Sequence, residues 1–299
     1  MSTKVVYGRG PKGWLQAAAL LVPTLIAAAV FLYYPALRAL EMGFYRTRFF
    51  GSQQTFVGFD NYVQLVTDPG FQLSVGVTVA FAFVVVLSVM AISLPIAYWI
   101  HEVETGTTYY MLAAIWPYAL PSTVASVILL YLLHPSLGIG TAGLASIGID
   151  FNWFRYGWAA FALITIVAVW NQIGYNIIFM LAASHSVPSS LTESAVLDGV
   201  SRTRQLLWIY VPLISPTLLF LLIMNTIYAF FGTFAIIDIT TGGRPGGFTN
   251  IIIYDLYRNA FEFDNHGIAS AQSVILFVIV GLLMFVQLKY TDRYTHYGS

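Results

Sequence analysis

Pro188–Pro216 reads PSSLTESAVLDGVSRTRQLLWIYVPLISP, a stretch that places Glu193, Asp198, Arg202 and Arg204 between two long apolar runs. No Asp, Glu, Lys or Arg occurs between Arg155 and Glu193, or between Arg204 and Asp238. Each gap exceeds the ~20 residues that a helix needs to cross a hydrocarbon core. The stretch is therefore a polar, helix-coded loop between two membrane spans, and that reading decides the fold.

Working outward, four more charge-free gaps run from Lys12 to Arg38, Asp68 to Glu102, Glu104 to Asp150 and Asp264 to Lys289. Six gaps imply six spans, and the spans are helices because a lipid-exposed backbone must satisfy its hydrogen bonds within its own segment. The expected spans are 14–40, 73–100, 110–133, 157–182, 212–236 and 269–288. Composition agrees: of 299 residues only 9% are charged, against roughly a quarter in soluble domains. The fold class is an all-α integral membrane protein. Its expected organisation is an N-terminal segment 1–13, a six-span domain 14–288 with its polar loop at 184–211, and a tail 289–299. The first apolar run follows Lys4, Arg9 and Lys12 but is longer than a signal-peptide core and lacks a small-x-small cleavage site, so it reads as an uncleaved span.

Alternating the loops puts seven cations (Lys4, Arg9, Lys12, Arg202, Arg204, Lys289, Arg293) on the side of the N-terminus and five (Arg46, Arg48, Arg155, Arg244, Arg258) opposite. By the positive-inside rule both termini are expected in the cytosol. Prolines 23, 95, 117 and 121 fall inside spans and predict kinked helices. The net charge is zero, which gives no reason to expect nucleic acid. Cysteine is absent, so disulfides and thiolate metal sites are excluded. The five histidines show no HExxH or other metal-ligand spacing, and no metal site is expected. No G-x-x-x-x-G-K-[ST] occurs, so a nucleotide that drives this chain must bind to another one.

Locally the loop spells two short helices. Ser190-Leu-Thr-Glu193 matches a capping box, predicting a helix over roughly 191–198. Gly199 then stands where a left-handed helix-ending residue is wanted. A second helix is expected over about 201–210, with Pro212 and Pro216 restricting the return to the membrane. A helix that merely lies on the bilayer is the competing reading, but such helices favour cations, and the first helix has none.

Glu193-Ser-Ala195-Val-Leu-Asp198-Gly199, nine residues, then Ile209-Tyr-Val211-Pro212 resembles the EAA motif of ABC-importer permeases. Ser194 stands where the family has alanine and Val211 where it has leucine. The resemblance implies the type I importer permease fold, with this loop as a coupling helix seated in a groove of a cytosolic ATPase. Leu191, Ala195 and Leu197 are then candidate docking surface, and Glu193, Asp198, Gly199, Ile209 and Pro212 complete the coupling set. Glu193 is either an acidic contact for the ATPase or the capping-box acid, and the two are compatible. The implied partners are a second homologous permease, two ABC ATPase subunits that carry ATP and Mg, an extracytoplasmic substrate-binding protein and membrane lipid. The implied place is the bacterial inner membrane. This chain itself is expected to be non-catalytic and to bind no cofactor.

Phe56-Val-Gly-Phe-Asp60-Asn61-Tyr62 is similar to a segment of sugar-type permeases, as is Thr241-Gly-Gly-Arg244-Pro245 with Thr249 and Tyr254. Asn225–Phe234, Ala269–Val274 and Trp170–Asn176 look most like the permeases of glycerol-3-phosphate importers. That implies glycerol-3-phosphate or a glycerophosphodiester as substrate; a neutral maltose-like disaccharide is the alternative. A secondary transporter would place charge within its spans, and an intramembrane enzyme would need a convergent catalytic set; neither is legible. Trp170, Tyr175, Asn176, Asn225 and Tyr228, with Asn171 and Gln172, either bridge helices or line the substrate path. Arg46, Arg48, Arg244 and Arg258 either favour an anionic substrate or are solvated. Arg38 and Glu41, three apart, read as a surface ion pair or as a gate.

Overall fold

The computed structural model describes residues 11–48, 53–103 and 105–291. Lys4, Arg9 and Arg293, used above to weigh the loops, and Glu104, which bounds one charge-free gap, lie outside these residues, as do 1–10 and 292–299 of the expected terminal segments.

The chain opens with α1 (Pro11–Ala28), a π-helical turn (Ala29–Tyr33) and α2 (Tyr34–Met42). An antiparallel hairpin of β1 (Tyr45–Arg48) and β2 (Gln53–Phe56) follows, with Tyr45 opposite Phe56. Then come α3 (Asp60–Thr67), α4 (Pro69–Glu102), α5 (Thr107–Ala119), α6 (Ser122–Leu132), α7 (Ile139–Ser146) and α8 (Gly157–Ser184). The loop holds α9 (Ser189–Leu197), α10 (Arg202–Gln205), a π turn (Leu206–Tyr210) and α11 (Val211–Leu213). Beyond it lie α12 (Ser215–Ile227), a π turn (Tyr228–Gly232), α13 (Phe234–Thr240), α14 (Ile252–Tyr257), a π turn (Arg258–Glu262) and α15 (His266–Thr291).

Among the described residues five helices are long and apolar enough to cross a bilayer: Ala17–Met42, Pro69–Glu102, Gly157–Ser184, Ser215–Gly232 and His266–Lys289. They fall where the charge-free gaps place them. The third expected span, 110–133, is instead α5 and α6 set at 97° to one another, and it counts as the sixth span only if the bent pair is taken together. At 1.5 Å per residue the two are roughly 20 and 17 Å long, each short of the ~30 Å hydrocarbon core. At the break Leu120, which precedes Pro121, takes the extended conformation (ψ 136°) that a following proline favours. Pro23 and Pro95, by contrast, lie inside continuous helices.

The 34-residue α4 packs most extensively on α8, and the main core forms around that pair. Phe81, Val85 and Val89 of α4 meet Leu163, Ile164 and Val167 of α8, all fully buried, with Phe230, Ile236 and Ile252 closing the cluster. Gly174 lets α5 come close to α8, since a β-carbon there would sit 2.9 Å from Tyr118 Cβ and 3.0 Å from Ile115 Cα.

At the end away from the polar loop, Asn61 fastens the hairpin to α3, donating to the carbonyls of Gly43 (2.9 Å) and Tyr45 (3.0 Å). The Thr249 hydroxyl donates to the Arg244 carbonyl (3.0 Å) and pairs with the Thr241 hydroxyl (2.9 Å), which closes the glycine-rich loop over itself. Both motifs first noticed as family-like segments therefore have an architectural role.

Candidate functional site

The loop between α8 and α12 begins as a helix earlier than its sequence suggests. Pro188 (φ −63°, ψ 128°) is the N-cap and α9 starts at Ser189, so Ser190 and Glu193 are already inside the helix. The capping box is not formed. Ser194 Oγ turns back on the carbonyls of Ser190 (2.9 Å) and Leu191 (3.1 Å), and no side chain caps the start. Glu193 is exposed and has no partner among the described residues, so of its two expected roles the capping one is removed.

The other end matches expectation. Gly199 adopts φ +73°, and Val200 N–H donates to the Ala195 carbonyl (2.9 Å) while Gly199 N–H donates to that of Val196 (3.0 Å). This paired 6→1 and 5→2 pattern is a Schellman motif, and it satisfies carbonyls that the helix end would leave bare. Beyond it Gln205 Nε2 donates to the Val200 carbonyl (2.9 Å), which holds the turn against the second helical segment.

Leu191, Leu197, Asp198 and Gly199 face outward, Leu197 being 87% exposed. Ala195, expected beside them as docking surface, is instead buried at the floor of a cleft between α9 and the segment Val200–Leu213. The reason is helical phase: the carbonyl of Ala195 receives the closing bond of the turn, so its side chain lies under the chain that folds back. Ile209 is half-buried against Leu206, Tyr210 and Ile214, and Pro212 lines the cleft. Sequence reading missed Val196 and Trp208, which are 63% and 76% exposed; Trp208 stands in the apolar run 206–214 and carries no signal that sets it apart.

Leu206, Tyr210 and Ile214 pack with Val187 and with Tyr98 from the end of α4. Tyr98 and Tyr210 meet edge to face at 4.9 Å. Glu102, the last residue of α4, accepts from Arg202 Nη1 (3.0 Å) and from the Tyr210 hydroxyl (3.1 Å). Burial, then the adjacent Glu102 charge, pushes the Tyr210 hydroxyl well above its ordinary range, so it stays a donor.

The second candidate set lies within the spans. Asn176 and Asn225 are fully buried and bond reciprocally, at 3.0 and 2.7 Å, with Gln172 Nε2 also reaching Asn225 Oδ1 (3.3 Å). They bridge α8 and α12 rather than line a cavity of this chain, because two carboxamides in hydrocarbon satisfy each other at least cost. Tyr228 donates to the Ala168 carbonyl (3.3 Å) and belongs to the same bridge. Asn171 donates to the carbonyls of Pro117 (2.9 Å) and Leu120 (3.1 Å), the second of which the α5–α6 break would otherwise leave unsatisfied. Trp170 and Tyr175 stand apart from these. Trp170 meets Trp116 edge to face at 5.4 Å, and Tyr175 meets Tyr118 at 5.5 Å and Phe179 at 4.9 Å. Their partly exposed neighbours form an aromatic face that the sequence did not single out. Of the outer cations, Arg46 and Arg244 are exposed, while Arg258 pairs with Glu262 at 3.0 Å. Arg38 and Glu41 form the expected exposed ion pair.

The family described as "Binding-protein-dependent transport system inner membrane component" matches residues 93–296, from the last turns of α4 through the loop and α15. The chain is 38% identical over 279 residues to the "sn-glycerol-3-phosphate transport system permease protein UgpA" of Brucella abortus biovar 1 (strain 9-941), covering 93% of this chain and 95% of that one. The protein of that name from Rhizobium meliloti (strain 1021) is 37% identical over 279 residues, with 93% and 95% covered. Among solved structures, a chain of a bacterial ABC transporter involved in the import of the acidic polysaccharide alginate superposes with a TM-score of 0.82. It is 24% identical, over 95% of this chain and 97% of that one, and the likeness shows a shared fold.

Proposed function

This chain belongs to the family of inner membrane components of binding-protein-dependent transport systems, and on that premise we propose that it forms half of the translocation path for glycerol-3-phosphate or glycerophosphodiesters. It is a multi-pass permease of the ABC-importer kind. The observation that carries the division of labour is the loop Pro188–Pro216. A helix closed by Gly199 presents exposed Leu191, Glu193 and Leu197, while its base is tied down on α4. Such a rigid, outward-facing element suits a partner that pushes it, and two ABC ATPase subunits carrying ATP and Mg fill that role. The loop and both termini then face the cytosol, consistent with Arg202, Arg204 and Lys289 at that end.

The substrate class rests on the printed names of relatives that match nearly the whole chain. An extracytoplasmic binding protein would deliver it to the end that carries the hairpin and the glycine-rich loop. Within the spans, Trp170 and Tyr175 belong to the path, and Asn176, Asn225 and Tyr228 hold the helices behind it. The aromatic face carries no cation, and this favours a neutral saccharide, which stacks on rings, as the second reading.

Uptake by the complete set of subunits decides between the two. Labelled glycerol-3-phosphate is expected to enter and to be displaced by unlabelled glycerol-3-phosphate or glycerophosphocholine, with maltose ineffective. Displacement by maltose alone overturns the phosphoester assignment.

A further inference from the structure

We propose that Glu102 is the positioning residue through which movement of the loop reaches α4. This inference rests on reading Pro188–Pro216 as the coupling element. Along the chain the loop is joined only to α8 and α12. The 34-residue α4, which packs so extensively on α8, has no covalent link to it. Across space the link is specific. Both carboxylate oxygens of Glu102 are taken by loop residues, Oε2 by Arg202 Nη1 at 3.0 Å and Oε1 by the Tyr210 hydroxyl at 3.1 Å. The two donors lie 100 and 108 residues away in sequence.

The two contacts differ in weight. Arg202 is 68% exposed, and an ion pair so open to water contributes little to holding the loop. Tyr210 is 2% exposed, so its bond to an ionised carboxylate is the strong one. The last turn of α4 also meets the Tyr210 ring from two further sides, Tyr98 at 4.9 Å and His101 at 5.6 Å. A tyrosine gripped by three residues of one helical turn cannot move without carrying that turn. Apolar packing of Leu206 and Ile214 on Tyr98 would keep the loop near the bundle without fixing its direction. Two hydrogen bonds to one carboxylate fix it. Glu102 also lines a surface cleft with Glu193 and Leu197, so the clamp lies next to the outward face of α9.

The test uses the complete transporter in vesicles, with substrate imported and ATP hydrolysed measured together. Glu102→Gln and Tyr210→Phe are each expected to lower substrate imported per ATP about five-fold or more, in the range of ordinary coupling free energies, while hydrolysis continues. Should Glu102→Gln fail to accumulate, Tyr210→Phe, which removes one hydroxyl, carries the test. A wild-type ratio in both variants, or import and hydrolysis falling in parallel, overturns the clamp. Gly199→Trp separates the two levels of the argument. If it uncouples while the Glu102 and Tyr210 variants do not, the clamp fails and the coupling loop stands. If all three keep the wild-type ratio, the loop reading falls and takes the clamp with it.

Discussion

Gly199 adopts φ +73°, and a β-carbon placed on it would meet nothing within 4 Å. The two usual costs of replacing a glycine, backbone strain and collision, are therefore separable here. Gly199→Ala carries only the left-handed strain of roughly 1–2 kcal/mol, and Gly199→Asn less, because asparagine tolerates that region. Neither side chain is large enough to reach a docked partner, so both variants are expected to insert normally and keep most uptake. Gly199→Trp has comparable strain but projects a large ring from the turn beside Leu197. Its uptake is expected to collapse while its level in the membrane stays close to that of Gly199→Ala, as read by quantitative blotting beside transport. Equal uptake in the alanine and tryptophan variants would remove Gly199 from any docking face. The glycine itself was legible in the sequence, since the αL demand at a helix end is local. The capping box four residues into the loop was misleading for a local reason too: Pro188 starts the helix before Ser190 is reached. Ala195 was misplaced because its burial depends on a chain reversal that no short motif encodes.

Breaks and bridges between helices belong to the next scale, and here proline alone is a poor guide. Pro95 sits inside the continuous α4, yet Leu120–Pro121 divides the third span by 97°. What separates the two cases is Asn171, which lies some 50 residues away on α8. Its amide supplies the hydrogen bond that the Leu120 carbonyl loses at the break and adds a second donor to the Pro117 carbonyl, which also takes the Leu120 N–H. Ser122 Oγ in turn donates to Asn171 Oδ1 at 3.2 Å, so the side chain is held from both ends. Charge-free runs reveal where spans lie, because the bilayer imposes their length. They carry no record of a bend that is stabilised from another helix. The same holds for Asn176 and Asn225, legible as polar residues in hydrocarbon but not as each other's partner. Asn171→Ala leaves the Leu120 carbonyl without a donor and is expected to cost about 1–3 kcal/mol, lowering the unfolding temperature in detergent by several degrees. Asn171→Gln, which keeps a donor on a longer arm, is expected to lose less. Unfolding temperatures unchanged in both variants would mean that water or lipid headgroups satisfy the break without Asn171.

For the whole molecule, the first span is the part that this chain leaves unfinished. From Ala17 to Met42 its most apolar window has no buried residue, and its far end, α2, packs on α15. Leu20, Leu25 and Phe31 are 80%, 62% and 80% exposed; at about 100° per residue Leu20 and Phe31 share one side of the uncovered helix and Leu25 is directed to another. The other spans bury between 28% and 61% of the corresponding windows. A helix so bare would be covered by lipid all round or would lie against the second permease on one side, and the two arrangements differ in a measurable way. Photo-crosslinking side chains placed singly at 20, 25 and 31 in the complete transporter are expected to capture the second permease from one or two positions and lipid from the rest. In the chain purified without its partner, all three are expected to capture lipid only. Lipid capture at every position in the complete transporter would leave the helix as a membrane anchor, and the contact between the two permeases would then fall to the faces of α4, α5 and α12 that carry exposed apolar side chains.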